Sequence, residues 1–227
     1  MKSRNALEND FLMQIVPYPH PALAFKSVDI TQIDATLRKT IRQMFELMYE
    51  AKGIGLAANQ VGLPFRFFIV NLQARPGLPD EELTFLNPVI LRKRGSELGE
   101  EGCLSLPGLY GDVRRAETLV VEAFDLDGQA FQMELEELEA RVIQHEHDHL
   151  DGIMFTDRMR DEGTSAKLDL EIPKFIAAYQ QAQRAGHLPT DDNLQLDLQN
   201  MARSGKVPEE FLVRAPFKIE LPPITKE

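Results

Sequence analysis

The strongest hydrophobic periodicity in the chain lies between residues 33 and 48. Six apolar residues recur there at intervals of three and four positions: Ile33, Leu37, Ile41, Met44, Phe45 and Met48. This spacing places them on one face of an amphipathic helix. Thr31 and Asp34 resemble a capping box at the start of the helix, and Gly53 stands where the helix is expected to end.

Three further stretches have the composition of β-strands. Residues 66–72 (RFFIVNL) are β-branched and aromatic and predict a buried strand. Residues 84–91 predict a second strand, which Pro88 breaks or places at a sheet edge. Residues 118–135 predict a hairpin, with Asp127 and Gly128 in a type I′ turn.

The helical pattern returns at residues 136–150 and continues beyond a linker-like stretch. Gly152 is the expected cap of the first of these helices, whose apolar side consists of Leu138, Val142, Ile143 and Leu150. After residues 161–166 (DEGTSA), two more helices are predicted at residues 174–184 and 193–203. We therefore expect a domain over residues 1–160 and a C-terminal extension over residues 161–227.

The amino-acid composition indicates which broad classes of protein are compatible with this chain. The 227 residues are 43% hydrophobic and 27% charged, as in soluble globular proteins. No apolar run approaches the roughly 18 residues of a membrane span, and the first residues do not resemble a signal peptide. The net charge of −11 argues against a broad basic surface for nucleic acid. We expect a cytoplasmic protein, in which the single cysteine, Cys103, is reduced.

The strongest chemical signal is an HExxH motif in the predicted helix 136–150. His145 and His149 are four residues apart, so both imidazoles can face one metal ion. Glu146 is offset around the helix and can take a proton from metal-bound water. The alternative is an ordinary charged helix that contains the motif by chance.

The two other residues inside the motif are expected to lie outside the metal site. His147 is about 160° around the helix from both candidate ligands, which predicts a surface position. Asp148 is interpreted as a solvated carboxylate, with a hydrogen bond outside the metal sphere as the alternative.

Two upstream segments offer further candidate residues. Cys103 follows Gly102 and is either a third metal ligand or, as is common for a lone cysteine, a small buried apolar residue. Residues 53–60 (GIGLAANQ) permit close backbone approach but match no phosphate-binding loop. Gln60 at the end of this segment could donate its amide N–H to a developing oxyanion.

Taken together, three segments resemble the signature of the peptide deformylase family. They are residues 53–60 (GIGLAANQ), 101–105 (EGCLS) and 144–152 (QHEHDHLDG), and the resemblance extends from about residue 12 to 158. It implies an α+β fold, in which antiparallel sheets surround a central metal-binding helix. It also implies that Cys103 is a metal ligand rather than a buried apolar residue.

The resemblance implies a role for each matching residue. The metal ligands would be Cys103, His145 and His149, with Glu146 as general acid/base. Gln60 and the backbone N–H of Leu104 would hold the oxyanion.

The resemblance also implies a substrate site. The backbone of residues 53–56, including Gly53 and Gly55, would pair with an extended peptide. Ile54, Leu138 and Val142 would line the pocket for a methionine side chain.

The implied reaction is hydrolysis of the formyl group from N-formylmethionyl nascent polypeptides, with release of formate. Fe²⁺ is the expected ion, with Zn²⁺ or Ni²⁺ as substitutes. A transient contact with the ribosome is left open. The rival interpretations are an HExxH endopeptidase with a different third ligand, and a non-catalytic protein that binds formyl-peptides.

The sequence departs from the family pattern at two places. Tyr110 stands where many members carry an arginine near the bound peptide, which affects peptide preference rather than metal chemistry. The extension over residues 161–227 is slightly acidic, with 8 basic and 11 acidic residues. It could pack on the domain, form a dimer interface or bind a partner.

Overall fold

The computed structural model describes residues 13–73, 76, 81–161, 166–213 and 219–221. The helices are α1 (Ala35–Glu50), α2 (Glu137–Leu150), α3 (Phe155–Asp161), α4 (Ala166–Arg184) and α5 (Asp191–Ser204). The strands are β1 (Gly55–Ala57), β2 (Phe67–Val70), β3 (Leu83–Arg94), β4 (Glu97–Cys103), β5 (Leu106–Arg115), β6 (Thr118–Phe124) and β7 (Ala130–Glu136). Short 3-10 turns occur at Pro21–Ala24, Ala58–Val61 and Glu209–Val213. In the described residues, no helix is both long enough and apolar enough to cross a bilayer.

The strands form two antiparallel sheets. One contains five strands in the order β1-β2-β3-β6-β7, and the other is the β4-β5 hairpin. Helix α2 packs against β1, β2, β6 and β7. Its buried Val142, Ile143 and Leu150 join a hydrophobic cluster with side chains of these strands. The predicted α+β fold around a central helix is therefore confirmed, although Leu138, assigned to the apolar side of α2, is 54% exposed.

Helix α1 was predicted correctly except at its ends. Asp34 is the N-cap, and its carboxylate accepts from Leu37 N–H at 2.8 Å, so the expected role of Thr31 as the cap is wrong. The Thr31 hydroxyl instead donates to the carbonyl of Gly205. At the other end Lys52 takes the left-handed conformation (φ 59°), and Gly53 N–H donates to the Met48 carbonyl. Gly53 thus follows the left-handed residue rather than occupying that position.

The predicted strands are present, with one turn type corrected. β3 runs through Pro88, where the pairing with β6 shifts register between Leu86 and Val89. The hairpin predicted at residues 118–135 is β6-β7, but only Gly128 in its loop has a positive φ. The type I′ turn is therefore wrong, because such a turn requires a positive φ at both central residues. The Asp125 carboxylate instead organises a longer loop by accepting from Asp127 N–H and Gln129 N–H.

The helices of the extension pack on the remainder of the chain. Helix α4 begins at Ala166 and passes through Pro173, whereas the sequence predicted its start at residue 174. Helix α5 covers the predicted residues 193–203. Residues 162–165 of the predicted linker lie outside the described residues. The sequence also predicts a loop at residues 76–82 and a proline-rich end with Pro216, Pro222 and Pro223, and most of this loop and all three prolines lie outside the described residues as well.

Each helix of the extension contributes to a different hydrophobic cluster. Leu198 and Met201 of α5 pack in the cluster that contains the apolar face of α1. Leu168, Ile172 and Phe175 of α4 pack in the cluster that contains Cys103.

Candidate metal centre and active site

Helix α2 brings two imidazoles to one point inside the protein. His145 and His149 are one turn apart, both are buried, and their ring centroids are 5.0 Å apart. Cys103 reaches them from the end of β4, with its Sγ 3.4 Å from His149 Nε2. One candidate ligand atom from each of the three residues lies within 4.8 Å of the others. The three residues predicted to bind a metal are therefore close enough to share one ion.

The position of Cys103 follows from the β4-β5 hairpin. The pairing register shifts between Gly102 and Cys103, and the chain then turns through two residues before β5 begins. Ser105 in this turn is buried, and its carbonyl accepts from Tyr18 N–H at 3.0 Å. The sulfur atom is thus directed inward by a turn that other parts of the chain hold in place.

Glu101 orients the first histidine. The His145 Nδ1–H donates to Glu101 Oε2 at 3.0 Å, which leaves Nε2 as the nitrogen available to a metal. Arg115 donates twice to the same carboxylate, at 2.9 Å each, and Arg141 donates once at 2.9 Å. Burial opposes ionisation of Glu101, but the hydrogen bonds from His145 and Arg115 outweigh it and lower its pKa to about 2. Glu101 opens the EGCLS segment but was not predicted as a site residue.

Asp148 is buried rather than solvated. Its side chain pairs with Arg115 and, at 2.8 Å, with Arg158, while the residue is only 6% exposed. Burial raises the pKa of Asp148, but the hydrogen bond from Arg158 and the charge of Arg115 hold it below the ordinary value. The interpretation as a solvated carboxylate is wrong, because two arginines remote in sequence compensate the burial.

His147 lies apart from the three candidate ligands, as predicted. Its Nδ1 is 3.5 Å from Asp151 Oδ2, and its Nε2 accepts from Arg66 Nη2 at 3.3 Å. The side chain is mostly buried against these groups, so the predicted surface position is only partly right. Burial lowers the pKa of His147.

Glu146 occupies a buried position next to these candidate ligands. It is buried, and its Oε2 has no hydrogen-bond partner among the described residues. Burial raises the pKa of Glu146 to about 7. Gly55 makes room for the group, since a Cβ atom at residue 55 would stand 2.9 Å from the carboxyl carbon of Glu146. The carboxyl group is therefore poised to exchange a proton near neutral pH.

The pKa values of the two histidines shift in opposite directions. Burial lowers the pKa of His145, but hydrogen bonds with Cys103 and Glu101 outweigh burial and raise it to about 10. The pKa of His149 is lowered by burial and by the charge of His145. One sulfur and two imidazole nitrogens form a donor set that suits divalent zinc or iron. The residues present therefore fit a metal ion.

A cleft of approximately 400 Å³ opens beside these residues. It is lined by ten of the eleven predicted site residues: Gly53, Ile54, Gly55, Gln60, Cys103, Leu104, Leu138, Val142, His145 and Glu146. His149 lies behind the cleft wall and is buried. Glu101, Tyr110 and Arg141 also line the cleft, and sequence reasoning assigned no site role to Glu101 or Arg141.

Gln60 is held with its amide nitrogen towards the cluster. Its Oε1 accepts from Ala57 N–H at 2.8 Å, and its Nε2 lies 3.4 Å from Cys103 Sγ. Because the oxygen is engaged by the backbone, the N–H₂ group is the part of the amide directed at the site.

The pairing of β1 with β2 fixes the direction of the Gly55 backbone groups. Asn71 N–H donates to the Ile54 carbonyl at 2.9 Å, so residues 54 and 71 form a hydrogen-bonded pair. Opposite residues in antiparallel strands alternate between bonded and non-bonded pairs. Gly55, opposite Val70, is therefore in a non-bonded pair, and its N–H and C=O point away from β2.

Comparison with known proteins identifies the family. A profile of the polypeptide deformylase family matches residues 12–165, well over half of the chain. The chain belongs to the polypeptide deformylase family. A peptide deformylase of Rhodopirellula baltica is 42% identical over 182 residues, which cover 80% of this chain and 90% of that protein. One of Acidobacterium capsulatum is 43% identical over 172 residues, which cover 76% and 96%.

Solved peptide deformylases have the same fold. A plant peptide deformylase matches with a TM-score of 0.69 and 34% identity, over 84% of this chain and 98% of that chain. The peptide deformylase of Synechococcus elongatus in complex with actinonin matches with a TM-score of 0.62 and 36% identity, over 68% and 90%. Polypeptide deformylases are metal-dependent hydrolases, in agreement with the donor set of Cys103, His145 and His149.

Proposed function

We propose that this chain removes the formyl group from N-formylmethionyl polypeptides and releases formate. The observation that carries the proposal is the convergence of Cys103, His145 and His149 beside the buried carboxyl group of Glu146. Membership of the polypeptide deformylase family supports the same reaction.

Cys103, His145 and His149 are the residues that would hold the metal, with Fe²⁺ preferred and Zn²⁺ or Ni²⁺ as substitutes. When bound, the ion supplies a Lewis acid, which favours ionisation of water and polarises a carbonyl group. Glu101 serves this site indirectly, because it fixes the ring of His145 through Nδ1.

Glu146 moves the proton of the reaction. It accepts a proton from water as the water oxygen adds to the formyl carbon. It then delivers that proton to the amide nitrogen as the C–N bond breaks, so that a free amine and formic acid leave, and the acid ionises to formate in water. A carboxyl group with a pKa of about 7 is suited to both transfers.

Gln60 and the Leu104 backbone N–H stabilise the negative charge that develops on the formyl oxygen. The Gln60 amide is already oriented by Ala57 N–H, so little reorganisation is needed during the reaction. Both residues line the same cleft as Glu146.

The cleft binds the substrate as an additional strand. The N–H and C=O of Gly55, which point away from β2, pair with an extended peptide together with the Gly53 backbone. Ile54, Leu138 and Val142 contact the methionine side chain at the mouth and wall of the cleft. The formyl carbon bears only hydrogen beyond its carbonyl, so a tight site excludes an acetyl group by steric contact.

The decisive experiment is formate release from formyl-Met-Ala-Ser under anaerobic conditions, with metal analysis of the same sample. We expect turnover with about one metal ion per chain, no release of acetate from acetyl-Met-Ala-Ser, and inhibition by actinonin. Glu146→Ala should bind the peptide without releasing formate. No formate from the metal-loaded protein would refute the proposal.

Cys103→Ser separates the proposal from an HExxH endopeptidase. A deformylase that uses the sulfur should lose its metal or its activity, whereas an endopeptidase with another third ligand should keep both. A ribosome contact and a cytoplasmic location stay predictions, and co-sedimentation with ribosomes tests the first of these.

A further inference from the structure

The metal-binding residues come from two parts of the chain that are joined only by packing. Cys103 ends β4, while His145 and His149 belong to α2. The distance between sulfur and imidazoles is therefore set by whatever holds the β4-β5 turn against the helix. On one side this is the Glu101 carboxylate, which binds the His145 ring. On the other side it is a hydrophobic cluster that includes Cys103 itself.

Helix α4 contributes three buried side chains to that cluster. Leu168, Ile172 and Phe175 follow a spacing of four and three residues, so they share one face of the helix. Leu168 and Phe175 have no exposed surface, and all three belong to the same cluster as Cys103. Leu106 and Leu109 of β5 are the members of this cluster on the side of the hairpin.

The same cluster extends to the histidine side of the site. It includes Phe155, the first residue of α3, whose ring centroid is 6.2 Å from that of His145. Helix α4 therefore packs in one continuous cluster with the Cys103 turn and with the segment beneath His145. A close-packed interior transmits strain, which connects α4 to the Cys103 turn through this cluster.

Helix α4 lies beyond the part of the chain matched by the family profile. The match ends at residue 165, and α4 begins at Ala166. The extension thus adds Leu168, Ile172 and Phe175 to a cluster whose other buried members lie within the matched residues.

We propose that α4 is a positioning element of the metal centre, with Leu168 and Phe175 setting the metal affinity by holding the Cys103 turn. The inference rests on the proposed metal site and adds to it a role for the extension. Neither residue touches the metal or substrate, because both act through the position of the sulfur.

The test uses a matched pair of leucines on the two helices of the extension. Leu168 packs in the Cys103 cluster, whereas Leu198 of α5 packs in the cluster that contains the apolar face of α1, and the two are 0% and 1% exposed. Leu168→Ala and Leu198→Ala therefore remove the same atoms from equally buried positions. Both variants should melt at lower temperature than the parent protein as metal-free chains.

The readout is Co²⁺ binding to the metal-stripped full-length chain, well below the melting temperature. Thiolate-to-cobalt absorption reports the sulfur ligand, and competition with a chelator gives the affinity. We expect Leu168→Ala to bind Co²⁺ about tenfold more weakly, with an altered visible spectrum, as for other changes behind metal ligands. Leu198→Ala should keep the affinity and the spectrum of the parent protein.

Equal Co²⁺ affinities and spectra for the two variants would overturn the positioning role of α4. Should Leu168→Ala fail to fold, Phe175→Leu and Leu168→Val replace it, with Leu198→Val as their control, under the same criterion. A parent protein that binds Co²⁺ without the thiolate absorption would instead remove Cys103 from the ligand set. That result would refute the proposed metal site, whereas equal affinities and spectra for the two variants would refute only the role of α4.

Discussion

The carboxyl group of Glu146 fits its position because residue 55 is a glycine. A Cβ atom there would stand 2.9 Å from the carboxyl carbon, closer than side-chain atoms approach one another. We predict that Gly55→Ala displaces Glu146 and lowers kcat/KM for formyl-Met-Ala-Ser by about a hundredfold, the effect of a small misplacement at a reacting centre. Formate release measures this, and circular dichroism shows whether the fold is kept.

Gly53→Ala provides the comparison. Its Cβ atom would approach Cδ1 of Leu104 at 2.7 Å, the far end of a flexible side chain that can rotate away. The loss of activity should therefore be smaller than for Gly55→Ala. A Gly55→Ala enzyme with unchanged kcat/KM would contradict this account of the glycine.

Tyr110 gives the cleft an exposed aromatic wall. The residue is 50% exposed and lies opposite Gly102, where a Cβ atom would stand 2.6 Å from Tyr110 Cε1. The ring thus lies against the glycine backbone and presents its other side to the cleft. We predict that Tyr110→Ala raises KM about fivefold for peptides with an apolar residue after formyl-Met, corresponding to about 1 kcal/mol of aromatic contact.

Tyr110→Phe is the control for this contact, since it keeps the ring and removes only the hydroxyl. It should leave KM near that of the parent protein for the same peptides. If Tyr110→Ala left KM unchanged across the peptide series, the ring would have no part in peptide preference.

Elements with a regular apolar pattern were predictable, whereas β4 was not. The helices α1 and α2 and the β6-β7 hairpin each bury one face, so their periodicity is visible in the sequence. Strand β4 (ELGEEGC) contains three glutamates and two glycines in seven residues and has little strand propensity. It forms because β5 pairs with it along its length, so the residues of β4 alone do not predict the strand.

In the candidate site, too, an arrangement within one helix was predictable, whereas contacts between distant parts of the chain were not. The spacing of His145 and His149 predicted a shared face, but Cys103 could be assigned only through the family resemblance, because strand and helix converge through tertiary packing. The burial of Asp148 was not predictable, since it depends on Arg115 and Arg158.

Arg115 connects the metal helix to the β4-β5 hairpin. It pairs with Glu101 on β4 and with Asp148 on α2, and all three are buried. Arg115→Met would leave two buried carboxylates without this partner. We predict a loss of about 3–5 kcal/mol in the free energy of unfolding, measured by urea denaturation of the metal-free protein.

Arg158 serves as the control for this prediction. It pairs with Asp148 as well, but its side chain is 38% exposed, so water can replace part of the interaction. Arg158→Ala should cost about 1 kcal/mol, near the upper end for exposed ion pairs. Similar losses for both variants would show that burial does not strengthen the Arg115 contacts.

In the whole molecule, the helices of the extension share hydrophobic clusters with the predicted domain over residues 1–160. Helix α5 fills the cluster on the α1 side, and α4 fills the cluster behind Cys103. Of the three possibilities left open by the sequence, the described contacts support packing on the domain. The hydrophobic clusters therefore continue across the division predicted at residue 160.

A metal ion at the proposed site would join the β4-β5 hairpin to α2. An ion that binds only the folded chain stabilises it by about 4 kcal/mol at a thousandfold excess over Kd, or about 8–16 °C in Tm for a chain of this size. We predict a fall in Tm of this order after chelation, and its recovery when Zn²⁺ is added anaerobically, measured by calorimetry. Cys103→Ser should respond far less to both treatments, because one of the three connections is weakened. An equal response of Cys103→Ser would mean that the ion stabilises the protein without linking these two elements.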